Sequence, residues 1–307
     1  MPRDEFAFID RIRLRTPLRP PVRLGIGDDA AVLDHPAGTV EVVTTDLLME
    51  GVDFLWPQTS AVLIGRKSLA VNLSDLAAMA ARPTAAFVSL ALPRQRGRQF
   101  ADELMDGLLT LADEFDVTLA GGDTNSWDGP LVVSVTVLGT PFVSQPILRS
   151  GARPGDCVFV TGACGGSLAG RHLTFTPRVT EAARLTELVP LHAMIDISDG
   201  LAADLHHVLD ESRVGAVLNA AAIPIHADVE PTDFETALNH ALSDGEDFEL
   251  LFTIAAEDCP RLLSAWDHAT PLTQIGTITA GIGCRMHCVD GSTVDLPPLG
   301  WSHPFCG

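Results

Sequence analysis

An aspartate set directly behind a run of β-branched residues is the feature of this chain that most restricts its fold. Within the stretch Gly25 to Phe54, Val42-Val43-Thr44-Thr45 has the make-up of a buried strand, His35-Pro36-Ala37-Gly38 makes the turn before it, and Asp46 follows. The pattern predicts that Asp46 stands where the strand ends and a ligand site can open. Asp28 and Asp29 follow the tight Gly25-Ile26-Gly27. Few basic residues are near in sequence to neutralise them: the only lysine is Lys67, and after Arg23 the next base is Arg66. A divalent cation is the remaining partner, and an all-oxygen ligand set suits Mg²⁺ or Ca²⁺. Ordinary capping of turns and helices accounts for such acids one at a time. It does not predict their recurrence beside Gly, Ser, Thr or Asn at Asp75, Asp123, Asp196 and Asp199.

The segment Gly25-Ile26-Gly27-Asp28-Asp29-Ala30 also matches a dinucleotide fingerprint, G-x-G-x-x-A. No strand precedes it, and two bare carboxylates in the turn would repel a pyrophosphate. Each such pair at about 4 Å and an effective dielectric near 20 costs on the order of 4 kcal/mol without a cation. A P-loop is excluded too, since Gly65-Arg66-Lys67-Ser68 lacks the upstream glycine.

A length of 307 residues is long for one core and suggests two domains, with Pro141 to Pro154 as the connection. We place them at residues 1–142, for nucleotide and metal binding and dimerisation, and 143–307. Forty acids against twenty bases, a net charge of −20, argue against nucleic acid or an anionic membrane as partner. Six cysteines, all in the second half and without disulfide-like spacing, suggest a reducing cytoplasm, as does the lack of a signal peptide. Cys284-Arg-Met-His-Cys288 looks like half a zinc site, but its alternation with apolar residues suits a strand better. No apolar run approaches the roughly 20 residues of a membrane-spanning helix.

Along the chain, helical periodicity covers Ala61 to Ala81 and Arg98 to Asp113, with Asp75 a polar residue inside an apolar helix that needs compensation. Strands are expected at Phe87–Leu92, Val117–Ala120, Leu131–Leu138, Asp156–Thr161, up to Asp196, and after Glu249. Val117–Ala120 runs into Gly121-Gly122-Asp123-Thr124, where glycines allow a close backbone approach to a ligand. The turn Gly162 to Ser167 offers backbone N–H groups to a phosphate. Arg149 has the fork that matches phosphate oxygens. His206 and His207 read as surface residues, and a small sheet is expected to close the chain.

In this order, Gly27-Asp28-Asp29-Ala30, Thr44-Thr45-Asp46, Glu50-Gly51-Val52-Asp53-Phe54, Val71-Asn72-Leu73-Ser74-Asp75, Gly121-Gly122-Asp123-Thr124, Arg149-Ser150-Gly151-Ala152, Met194 to Gly200, Gly245 to Leu250 and Gly300-Trp301 span nearly the whole chain. The chain thereby resembles the thiamine-monophosphate kinases, of the superfamily that includes aminoimidazole ribonucleotide synthetase. The resemblance implies an α/β (α+β) two-domain fold whose N-terminal domain pairs with its copy in a homodimer. It implies ATP-dependent phosphorylation of thiamine monophosphate to thiamine diphosphate by direct in-line transfer with several Mg²⁺ ions, the last step of thiamine diphosphate biosynthesis. Metal ligands would be Asp29, Thr44, Thr45, Asp46, Asp75, Asp123, Asp196 and Asp199; Gly122, Asp123, Arg149 and Ser198 would meet the nucleotide; Asp53, Glu246 and Trp301 would meet thiamine.

The sequence departs from the family pattern in four places. Asp53 stands where histidine is frequent, Met105 replaces an aromatic residue associated with adenine, Ser243-Asp244 precedes Gly245 in place of a second glycine, and Gly170 to His192 is short. Selenophosphate synthetase is disfavoured by the lack of cysteine and of early lysine in the first half. Hydrogenase-maturation relatives end in a reactive cysteine, which Cys306 matches only superficially. Aminoimidazole ribonucleotide synthetase leaves Asp53, Glu246 and Trp301 unexplained. A catalytically silent nucleotide-binding relative is the non-enzyme alternative, and the intact acids speak against it.

Overall fold

A computed structural model of the chain describes residues 2–26, 32–230 and 233–302. The chain divides into two compact units, Met1–Leu76 with Ala81–Pro141, and Ala77–Ala80 with Phe142–Gly307. The first carries α1 (Pro2–Arg15), β1 (Val22–Leu24), β2 (Val32–Leu33), β3 (Val42–Met49), most of α2 (Ala61–Ala78), β4 (Ala81–Pro93), α3 (Gly97–Glu114), β5 (Thr118–Trp127) and β6 (Val132–Pro141). The second carries β7 (Cys157–Thr161), α4 (Val179–Leu188), β8 (Ala193–Asp196), α5 (Leu201–Ser212), β9 (Gly215–Asn219), α6 (Phe234–Ser243), β10 (Leu250–Ile254), α7 (Cys259–Ala265), β11 (Leu272–Thr279), β12 (Gly283–His287) and β13 (Thr293–Asp295).

In the first unit a four-stranded sheet has the order β3-β6-β4-β5, with β4 and β5 parallel and the other pairs antiparallel. Its inner face is Val88 and Leu90 of β4 with Val133, Val135 and Val137 of β6, all buried. Helix α2 is apolar on nearly every side and starts at Ser60, whose hydroxyl accepts the Leu63 N–H at 3.3 Å. It crosses α3 at Gly65 and Gly107: a Cβ on Gly65 would lie 1.8 Å from the Leu104 carbonyl oxygen, and one on Gly107 1.9 Å from that of Val62. Two glycines thus set the helix spacing. The opposite sheet face is exposed and partly apolar, with Val43, Leu47 and Met49 of β3 open to solvent.

The second unit has a seven-stranded sheet, β13-β12-β9-β11-β7-β10-β8, in which only the β12–β9 pairing is parallel. Strands β7 and β10 are central and buried at every residue, as continuous apolar runs require when both faces are covered. Val158, Val160, Ile195 and Leu251 join one core with Leu201, Leu205 and Leu242 of α5 and α6. Phe159 and Phe252 stack with ring centres 5.5 Å apart.

Four expectations change. A short strand, β1, does precede Gly25, so the carboxylates of the following turn alone speak against a dinucleotide fingerprint there. Strand β3 runs on through Asp46 to Met49, because Leu48 alternates inward and pairing with β6 continues. Gly121 and Gly122 lie within β5, which continues to Trp127 beside β4. The closing segment is no separate sheet, since β12 and β13 extend the edge of the seven-stranded one. The alternating burial of β12, with Cys284 and Met286 inward, is that of a strand.

Candidate functional site

In the first unit the pleat of β3 sorts its polar residues. Thr44 and Asp46 lie on the inner side, and the Thr44 hydroxyl donates to Asp75 Oδ2 on α2. Thr45 lies on the outer side, donating to the Val135 carbonyl at 3.3 Å and accepting from the Thr136 hydroxyl at 3.0 Å. Asp46 Oδ2 is buried and has no hydrogen-bond partner. Burial, then the charges of Asp75 and Asp53, push the Asp46 carboxyl up to about 7. Such an oxygen among acids is an unfavourable arrangement unless a cation joins it. The donors are all hard oxygens, so the group fits Mg²⁺.

Asp53 follows β3, where its Oδ2 accepts the Met49 N–H at 2.6 Å. Lys67, 1% exposed, donates from Nζ to the Asp53 carbonyl at 2.8 Å, so the chain's one lysine fastens this turn. On β5, Asp123 is exposed and its Oδ1 accepts the Thr124 N–H at 2.9 Å. A Cβ on Gly122 would lie 2.1 Å from the Val88 carbonyl oxygen, so glycine is needed for β5 to approach β4 there. Beside these residues is a cavity of about 120 Å³, lined by Ile12, Val88, Leu90 and Met105 together with Gly121 to Thr124. Asp28 and Asp29 lie outside the described residues.

In the second unit Asp196 ends β8, 3% exposed and opposite Leu250. The turn Ser198-Asp199-Gly200 then leads into α5. Asp204 Oδ2 accepts the N–H groups of Ser198, Asp199 and Gly200 at 3.0, 3.0 and 3.1 Å. Burial first, and then the Asp199 charge, push the Asp204 carboxyl up to about 7. Sequence reasoning missed Asp204; an acid in the first helical turn after Ser-Asp-Gly was the signal available.

The same turn gathers two of the three residues expected at thiamine, Glu246 and Trp301. The Glu246 N–H donates to the Ser198 carbonyl at 2.7 Å and the Trp301 N–H to the Asp199 carbonyl at 2.9 Å. Cβ atoms on Gly245 and Gly300 would come within 2.8 Å of the Ser198 oxygen and 2.4 Å of the Asp199 oxygen, so both neighbours must be glycine. Trp301 is 56% exposed. Arg149 is exposed, on a loop held by Ser212: that hydroxyl donates to the Arg149 carbonyl and accepts the N–H groups of Gly151 and Ala152.

One further reading is revised, and the surface reading of His207 holds with one addition. The N–H groups of Gly165 and Gly166 are taken by the carboxylates of Asp247, at 2.9 Å, and Asp244, at 2.8 Å, so acids already fill the phosphate cradle expected there. His207 is exposed, but it stands within 4.8 Å of Asp199 and Asp204 in ligand-atom spacing. Among the described residues it is the only histidine in such a group.

Family models match both parts of the chain: AIR synthase related protein, N-terminal domain, over residues 27–140, and AIR synthase related protein, C-terminal domain, over residues 153–288. A thiamine-monophosphate kinase from Rhodopirellula baltica is 43% identical, with 97% of each chain covered. The crystal structure of thiamine-monophosphate kinase from Stenotrophomonas maltophilia is 40% identical with a TM-score of 0.81, covering 94% of this chain and 98% of that one. A structure of AaThiL complexed with AMPPCP and TMP is 29% identical with a TM-score of 0.74, covering 97% of this chain and 96% of that one.

Proposed function

This chain belongs to the thiamine-monophosphate kinases of the AIR synthase related family, and on that premise we propose how its residues divide the work. It is a phosphotransferase that uses ATP to phosphorylate thiamine monophosphate, giving thiamine diphosphate and ADP. The observation that carries our reading of the site is the buried, partnerless Asp46 oxygen among Asp53 and Asp75.

Asp46, Asp75 and Thr44 would hold Mg²⁺ in the first unit, with Asp29 and Asp123 as further ligands. Thr45 presents its hydroxyl to the other sheet face, leaving its backbone carbonyl as the donor to a cation. Asp196 and Asp199 would hold Mg²⁺ in the second unit. Bound Mg²⁺ supplies charge neutralisation for the phosphate oxygens. The cavity beside Gly122 and Met105 has the apolar walls of a nucleobase pocket, where sulfur and aliphatic contacts replace ring stacking. Arg149 and Ser198 would orient phosphates. Asp53, Glu246 and Trp301 would recognise the cationic thiazolium, two by charge and Trp301 by its ring face. Asp53 is already turned by the Met49 N–H and tethered through its carbonyl by Lys67. No side chain needs to form a covalent intermediate, because in-line transfer asks the protein chiefly for position and charge.

The exposed apolar face of β3 supports a homodimer through the first unit. Leu47→Glu is expected to yield a monomer in sedimentation analysis. No described helix is long and apolar enough to cross a membrane, and the described cysteines are free thiols; we assign the enzyme to the cytoplasm on their account.

A phosphorus NMR time course with ATP, Mg²⁺ and thiamine monophosphate tests the activity. Thiamine diphosphate and ADP should appear together. ADP with free phosphate alone, or no change, would remove thiamine monophosphate as the acceptor.

A further inference from the structure

The turn Gly245-Glu246-Asp247-Phe248-Glu249 has an unusual backbone. Gly245, Glu246 and Phe248 have φ of +73°, +53° and +52°, the left-handed region that a non-glycine residue, and a bulky aromatic above all, seldom adopts. Such a backbone persists only where surrounding contacts over-determine it. Here they come largely from one segment, residues 171–178. The Arg171 Nη2 donates to Asp247 Oδ1 at 3.0 Å and to the Gly165 carbonyl at 2.8 Å, while its Nε reaches Asp228 at 3.0 Å. Phe175 stacks on Phe248 with ring centres 4.1 Å apart. Arg178 grips both Glu249 oxygens in a bidentate pair, and Thr161 donates to the same carboxylate at 2.6 Å. Three consecutive residues of the turn are thus held by three side chains spaced along the segment.

Glu246 stands apart from these three. Asp247, Phe248 and Glu249 are buried, and Glu246 is half-buried with its backbone pinned to Ser198. The contacts that fix its neighbours therefore fix where the backbone carries Glu246.

We infer that Arg171 and Arg178 are positioning residues for substrate recognition: through Asp247 and Glu249 they hold the turn that aims Glu246 at the thiazolium. The inference rests on Glu246 serving thiamine monophosphate, as proposed above. It makes the segment 171–178 a determinant of acceptor specificity. The loop carrying Arg149 is held instead by Ser212, and the Ser198 turn by three N–H bonds to Asp204 besides its one bond to the Glu246 N–H, so ATP binding should depend on these arginines less than acceptor binding does.

Steady-state KM values for thiamine monophosphate and for ATP, taken separately on the full chain, test this. The variants are Glu246→Gln, Arg171→Met, Arg178→Met, Arg178→Lys and the double variant Arg178→Met/Glu249→Gln, which removes both charges of that pair while Glu181 keeps its Thr180 and Thr270 hydroxyl partners. Arg171→Met and Arg178→Met should raise the KM for thiamine monophosphate about tenfold and move that for ATP by less than about twofold. The double variant should show the same split, and Arg178→Lys, keeping part of the pair, an intermediate one. An unchanged KM in Glu246→Gln overturns the substrate role of Glu246 and the inference with it. With that role intact, arginine variants that leave the thiamine monophosphate KM unchanged, or raise both KM values equally, overturn the inference alone.

Discussion

Both units bury carboxylates, and they resolve the burial in opposite ways. In the first, Asp46 has an oxygen without a partner and acids as its nearest charges. In the second, Glu249 has Arg178 and Thr161, Asp247 has Arg171 and the Gly165 N–H, and Asp204 has three backbone N–H groups. A buried acid that the protein itself satisfies is scaffold, while one left unsatisfied beside other acids marks a place that something else completes. Acid content alone does not separate the two.

The comparison breaks first at Asp46. Asp46→Asn should lower kcat by at least about a hundredfold, the scale of removing one electrostatic contact to the transferring group, while the chain stays folded. Near-normal turnover would take Asp46 out of the site. Opposite behaviour is expected of the scaffold. Arg178→Met should cost roughly 3–5 kcal/mol of unfolding free energy, as the loss of one partner of a buried pair does, and adding Glu249→Gln should recover much of it in urea titrations. A smaller effect sharpens the boundary on the substrate side: Trp301→Ala removes a ring worth about 0.5–2 kcal/mol to a cation, raising the KM for thiamine monophosphate roughly two- to thirtyfold. A matching rise for ATP would undo that assignment.

Much of the architecture was legible in local pattern. The β-branched run at Val42, the apolar helix from Ala61 and the alternation around Cys284 each have a period that dictates their element. The end of β3 was misjudged because Asp46 interrupts the apolar run, yet strand pairing is set by the backbone and by Leu48 beyond it. The glycines at 165 and 166 looked like an anion cradle because nothing local shows that Asp244 and Asp247, some eighty residues away, fill it. Asp204, Arg171 and Arg178 were overlooked for the same reason. Their roles exist only through partners that folding brings near, whereas Asp46 and Asp75 were singled out by local pattern, and Glu246 and Trp301 were proposed through resemblance.

The contrast between the units is tested most directly by thermal unfolding against pH, for wild type and Asp46→Asn, in chelator and in Mg²⁺. Because the folded Asp46 carboxyl is raised from 3.8 to about 7, the folded chain keeps a proton there that the unfolded chain has lost. Its contribution to stability is present at low pH and is lost as pH rises through the window between those values. Without metal, wild type should therefore lose stability relative to Asp46→Asn between about pH 4 and about pH 7, and saturating Mg²⁺ should close that gap by holding the ionised form. Parallel profiles in chelator, or an equal Mg²⁺ shift in both proteins, would contradict the assignment of Asp46 to a cation.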